Sequence, residues 1–292
     1  MVLRGDGGGI QNRERPDPEA DESRRGRDHR VPLEQGDMMK RTVVAFAFSL
    51  LLSGSLAGCV QDRVATKPEV DAKHTLGKAL LAQGDKQAAL RTLLEALESD
   101  PENEKLHDTI GIAYADLGQM EKAESHLRRA LQIKPDFSDA TNHLGLVYYR
   151  QGKVGQAIEM FTRAGDDFMY QRRFDAYNNL GNVYFFLGQH QKALEAYRKS
   201  LQVFPQYTPA YENMGMTYEA LRDWDSAIEA YRSSIQHDPN YPLSYLRLAN
   251  LFLKFKRYDD ARELVLKAME VDKNGEFKAD AKRLLDQCER RG

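Results

Sequence analysis

The sequence predicts an all-α protein: six helix pairs stacked as a solenoid and closed by a C-terminal capping helix. Three features carry this expectation. A small residue recurs as Gly77, Gly111, Gly145, Gly181, Gly215 and Ala249, in steps of 34, 34, 36, 34 and 34 residues. A period of this length marks an array of two-helix units. Twelve places after each stands an alanine (Ala89, Ala123, Ala157, Ala193, Ala227, Ala261), and four places further a bulky side chain (Leu93, Leu127, Phe161, Tyr197, Tyr231, Val265). Apolar residues flank each small residue one place before and three places after, as Leu144 and Tyr148 do for Gly145. That is the spacing of one helix face.

Residues 1–37 are rich in Gly, Pro and charge and cannot bury enough apolar surface to offset their ordering entropy. They precede a complete export signal, so translation is expected to begin at Met38 or Met39. Residues 38–58 form that signal: Met38-Met39-Lys40-Arg41 is a positive start, and Val43 through Leu52 is an apolar core. The core is too short to span a bilayer as a helix. The run Leu56-Ala57-Gly58-Cys59 resembles the lipobox of bacterial lipoproteins. The resemblance implies cleavage before Cys59 and acylation of its thiol and, in many bacteria, its amine. Two or three chains at about 0.8 kcal/mol per buried methylene give a stable anchor. Residues 59–69 are then the acylated cysteine and its tether.

Residues 70–275 hold the six repeats: 70–103, 104–137, 138–171, 174–207, 208–241 and 242–275. In each, the small residue sits on the first helix and lets the second approach closely. Turns are marked by Gly84-Asp85, Gly118, Gly152 and Gly188, and Pro101, Pro135, Pro205 and Pro239 close four repeats, because proline lacks the N–H a helix needs. Thr208-Pro209 reads as an N-cap followed by proline at the first helical position. In 276–292, Phe277, Ala281, Leu284, Leu285 and Cys288 share one helical face and would cap the last repeat.

Charge excludes one class of partner. The chain carries 42 Lys and Arg against 44 Asp and Glu, a net −2. Nine of each sign precede Cys59, so 33 against 35 remain after it, again −2. No clustered basic face argues for nucleic acid. Of two cysteines, an acylated Cys59 leaves Cys288 without a disulfide partner. No catalytic constellation is visible: there is no metalloprotease helix, Cys-x-x-Cys pair, phosphate loop or nucleophile elbow. No cofactor or metal is expected. His107 and His126 fall in one repeat, and Asp223-Trp224-Asp225 reads as an inter-helix turn rather than a calcium loop.

The array resembles the tetratricopeptide repeat, whose helix pairs stack into a right-handed superhelix. That resemblance implies that the first helices line a concave, partner-binding side through their second, fifth, ninth, twelfth and thirteenth places. In repeats three to five these include Asn142, Tyr149, Arg150, Asn178, Asn182, Phe185, Phe186, Glu212, Met216 and Glu219. Asparagine donates and accepts at once and suits a peptide backbone, while aromatics and Met supply apolar pockets.

The joint at Gly165–Arg173 carries two extra residues and no closing proline. With Tyr170, Arg173, Tyr177 and Asn179-Leu180-Gly181 it resembles the pilotin lipoproteins of type IV pili, although Gln171 stands where they have proline. The resemblance implies an outer-membrane lipoprotein, anchored by lipid and facing the periplasm, that assists localisation and assembly of the pilus secretin. It further implies an apolar groove in the early repeats, whose counterpart here is Leu81, Ile112 and Ala115. Val60 after Cys59 means the aspartate that retains many enterobacterial lipoproteins at the inner membrane is absent. The alternative is a periplasmic repeat scaffold for envelope or peptidoglycan enzymes, which genomic neighbours would separate from the first.

Overall fold

The helices follow the period closely. The computed structural model describes residues 66–291, so the leader, the lipobox-like run and Cys59 lie outside the described residues. Among the described residues there are thirteen α-helices and no strand. The six pairs are α1 (Lys67–Ala82) with α2 (Lys86–Ser99), α3 (Glu104–Asp116) with α4 (Met120–Ile133), α5 (Ser138–Arg150) with α6 (Val154–Asp166), α7 (Arg173–Phe186) with α8 (His190–Val203), α9 (Thr208–Ala220) with α10 (Trp224–His237), and α11 (Pro242–Lys254) with α12 (Tyr258–Val271). The capping helix α13 covers Lys278–Arg291.

Packing within a pair follows from the small-to-large match. The six alanines from Ala89 to Ala261 are fully buried, and the bulky partners from Leu93 to Val265 are at most 1% exposed. In the first five pairs the bulky side chain lies over the glycine of the first helix. A Cβ on Gly77 would sit 2.5 Å from Leu93, and one on Gly215 would sit 2.4 Å from Tyr231. Gly84, Gly118, Gly152 and Gly188 take positive φ at the turns, where glycine costs least. In the last two pairs Arg222 and Lys256 hold that conformation instead, at φ 60° and 61°.

Two helix starts differ from expectation. α1 begins at Lys67, inside the segment expected to be tether: Thr66 N–H donates to Glu69 Oε2 at 2.7 Å, a capping-box contact, and Pro68 stands in the first turn. At α9 the N-cap is Tyr207 rather than Thr208, which is already helical with Pro209 in the first turn. The next N–H groups along are bonded to backbone carbonyls, so a threonine cap is not required there.

Two things set the curvature and the ends. The first helices of neighbouring pairs touch through α1–α3, α3–α5, α5–α7 and α7–α9, and the second helices make no contact of like extent. The first helices therefore lie on the inner side. At the C-terminus Ala281, Leu284 and Cys288 are buried, with Phe277 and Leu285 packed beside them, so α13 covers the open face of the sixth pair.

Candidate protein-binding face

The inner face is built on a ladder that the period alone does not reveal. The fifth place of one repeat meets the sixth place of the next. His74 Nε2 lies 2.8 Å from Thr109 Oγ1. The Thr109 hydroxyl already donates to the Lys105 carbonyl, so it accepts from the imidazole. His143 Nδ1 lies 2.7 Å from Asp108 Oδ1. Asn179 Nδ2 donates to Asn142 Oδ1 at 3.1 Å, and Asn213 Nδ2 to Asn178 Oδ1 at 2.9 Å. At the next equivalent places stand two opposite charges, Glu212 and Arg247, which interact without a hydrogen bond. Glu212 Oε1 and Arg247 Nε have no hydrogen-bond partner. Burial pushes the Glu212 carboxyl above its ordinary range, opposed by Ser244 and Arg247.

Three of the expected contact residues stand at these places. Asn142, Asn178 and Glu212 are 4%, 6% and 4% exposed, and the Asn142 and Asn178 amide oxygens, already accepting, serve a ligand only if their rungs open. The others sit higher. Tyr149 is half-buried and meets Phe186 edge to face, ring centroids 5.9 Å apart, while Phe186 is 67% exposed. Asn182 accepts the Tyr197 hydroxyl at 2.9 Å, and its amide N–H groups have no partner among the described residues. Phe185 and Met216 are half-buried, and Phe185 packs on the Tyr197–Ala210 cluster. Glu219 accepts the Tyr231 hydroxyl at 2.6 Å and also pairs with Lys254. Arg150 donates to the Ala115 carbonyl at 3.2 Å. Of the expected set in repeats three to five, Tyr149, Asn182, Phe185, Phe186 and Met216 thus remain half-buried or exposed.

A groove of about 450 Å³ opens over the first three repeats. Leu81, Ile112 and Phe137 supply its apolar lining, and Lys78 and Lys105 stand exposed on it. Ala115 does not line the groove and packs against the core instead. The Asp108–His143 rung belongs to the same groove. Burial disfavours the charged ring, yet Asp108, with Asp139 beyond it, outweighs burial and Arg172 and holds His143 above its ordinary value.

The irregular joint is ordered around Tyr170. Its ring is 8% exposed against Ala164 and Ala176, and its hydroxyl faces Asp139. At the next joint Tyr207 faces Asp175 in the same way. The two extra residues are absorbed by the loop before Tyr170, leaving Phe168 and Met169 at 85% and 89% exposure. Arg172 pairs with Asp175 at 2.6 Å, and Tyr177 donates to Asp166 at 2.8 Å.

On the other side of the second repeat, His107 Nδ1 and His126 Nδ1 are 3.0 Å apart. His107 Nε2 donates to the Pro101 carbonyl at 3.1 Å, so in the neutral pair His126 donates to His107. Burial, then the neighbouring imidazole, lowers His126 to about 4. Among the described residues no group of three His, Cys, Asp or Glu could hold a metal ion. Asp223 caps α10 by accepting the Ser226 N–H, and Trp224 packs edge-on to Phe255.

Comparison with known proteins gives the following. Tetratricopeptide-repeat models match residues 70–103, 111–152, 172–240 and 218–288. The type IV pilus assembly protein PilF of Pseudomonas aeruginosa is 27% identical over 168 residues, 55% of this chain and 67% of that protein. The human DnaJ homolog subfamily C member 3 is 30% identical over 95 residues; the chain spans only 19% of its length. Among solved structures, that of P. aeruginosa PilF overlays with a TM-score of 0.60 at 22% identity, covering 75% of this chain and 98% of the other. PilW, a type IV pilus biogenesis factor, gives 0.63 at 22% identity, covering 76% and 100%. These overlays establish the fold.

Proposed function

We propose that this chain, which belongs to the tetratricopeptide-repeat family, is a non-catalytic, lipid-anchored outer-membrane scaffold that assists localisation and assembly of the type IV pilus secretin. The observation that carries this reading is the sequence likeness to PilF over 67% of that protein's length. The residue-level support is the joint with Tyr170, Arg173 and Tyr177 and the lipobox-like run at Cys59.

The mechanism is mechanical. Acyl chains on Cys59 hold one end of the chain in the bilayer. The ladder keeps the first helices in register, and the inner face presents a groove in repeats one to three and an aromatic stretch in repeats three to five. A secretin subunit held there stays at the membrane while its neighbours add to it. Deleting the gene should leave secretin subunits unassembled or in the wrong membrane, and Cys59→Ala should reproduce this while the protein leaves the membrane fraction. Normal multimers together with normal twitching after deletion would remove the pilus reading. A palmitate-analogue label that persists on Cys59→Ala would remove the anchor.

A further inference from the structure

We infer that the irregular joint between α6 and α7 is a bilayer contact: Phe168 and Met169 enter the interface of the membrane to which the chain is anchored. The inference goes beyond the scaffold reading and rests on one part of it, the lipid anchor at Cys59.

The two side chains break the rule of their own array. The four regular joints turn on a proline and an exposed polar residue, Pro101-Glu102, Pro135-Asp136, Pro205-Gln206 and Pro239-Asn240. Here Phe168 and Met169 stand side by side at 85% and 89% exposure, above every other large apolar residue among the described residues. Single apolar residues scattered over a surface need no explanation, but this pair is adjacent and held outward. Asp167 accepts the Ser138 hydroxyl and the Met169 N–H, the latter at 2.9 Å, and its carbonyl accepts the Tyr170 N–H at 3.1 Å. The buried Tyr170 ring fixes the next step of the loop. The Arg173 guanidinium lies over the Phe168 ring, 4.8 Å from its centroid, and has no hydrogen bond or ion pair among the described residues. Its donors are free for a headgroup phosphate beside the inserted ring.

Topology selects the bilayer as the occupant. Short connections make consecutive helices antiparallel, so α1 and α7 run the same way and start at the same edge of the array. Contacts through α3 and α5 join them along that edge. Thr66, at the start of α1, is seven residues from Cys59. Whatever its conformation, that stretch spans at most about 25 Å. An acylated Cys59 therefore keeps the start of α1 close to the bilayer, and the loop opens on the same edge. Two side chains hold a free protein to lipid only weakly. On an anchored chain the contact is intramolecular and its effective concentration is high.

The test is fluorescence quenching by lipids brominated on their acyl chains. Trp224 is the only tryptophan in the sequence, so Phe168→Trp in a Trp224→Phe background carries a single indole. Leu187→Trp in the same background places the indole at the opposite end of α7. Each full-length chain is coupled through the Cys59 thiol to a maleimide phospholipid in phosphatidylethanolamine–phosphatidylglycerol vesicles; Cys288 is buried and does not compete. Quenching at position 168 should exceed that at 187 at least twofold, and adding Met169→Asp should abolish the excess with the far-ultraviolet circular dichroism unchanged. Equal quenching at the two positions, or none at 168, would overturn the inference. So would a photo-crosslinker at position 169 that, in living cells, captures a second copy of this chain or another protein in place of lipid. Because the coupling is chemical, the vesicle result does not depend on acylation in cells. Palmitate-analogue labelling of Cys59 without quenching at 168 rejects the loop and keeps the anchor; quenching without labelling rejects the anchor and keeps the loop.

Discussion

Gly181 has no room for a side chain. A Cβ there would lie 2.3 Å from Tyr197 Cε1, and a ring that is 1% exposed has nowhere to retreat. Gly181→Ala should therefore cost about 1–3 kcal/mol through overpacking. The sixth repeat holds the smaller Val265 at the matching place and tolerates Ala249, both fully buried in one cluster. In a Tyr197→Val background the cost of Gly181→Ala should shrink, measured by urea unfolding of all four forms; strictly additive costs would contradict the packing described. Two half-buried histidines give pH effects of opposite sign. Burial and the neighbouring His107 lower His126 from its ordinary 6.5 to about 4 in the folded chain, so the unfolded chain takes up the proton first. Stability is then lost as pH falls from 6.5 toward 4. His143 is raised, so its contribution is complete below 6.5 and is lost as pH rises through its folded value. His126→Gln should flatten the acid-side fall in melting temperature; an unchanged slope would remove His126 as its source. These pairings were only partly legible. His107 and His126 stood in one repeat, but nothing in their spacing showed two ring nitrogens at 3.0 Å.

At the scale of elements, the turns test how much one backbone conformation contributes. Four turns use glycine at positive φ, and Arg222 and Lys256 adopt it without that freedom. A side chain in the left-handed region costs about 1–2 kcal/mol, offset in part by the greater entropy that glycine loses on folding. Arg222→Gly should stabilise the array by about 0.5–1 kcal/mol in chemical denaturation, and a loss would mean that the Arg222 side chain contributes more than its backbone costs. The helix pairs themselves were legible because small, alanine and bulky places recur in register, and each was found packed as its type requires. The start of α1 was not, because the Thr66–Glu69 cap lies before the first repeat place. The ladder was missed for a different reason. Periodicity identifies the inner face, but a rung joins the fifth place of one repeat to the sixth of the next, as in Asn178 and Asn213. That neighbour closes over Asn142 and Asn178, so residues that look free on one helical wheel are buried in the stack.

For the whole molecule, the buried apolar residues divide. One continuous cluster runs from Val70 to Ala196 through the first four repeats, another joins the last two repeats to α13, and only the small Tyr197–Ala210 cluster lies between them at the joint of repeats four and five. In a quasi-one-dimensional array, stability spreads through nearest neighbours. Removing 276–292 should lower amide-exchange protection first in α11 and α12 while α1 to α6 keep theirs; uniform loss would contradict the division. The central claim is that the inner face holds the partner. A photo-crosslinking amino acid at Phe185 on the inner face and at Glu195 on exposed α8, introduced in living cells, tests it most directly. The expected result is a secretin adduct from position 185 and none from 195. No secretin adduct from either position, or equal adducts from both, would contradict it.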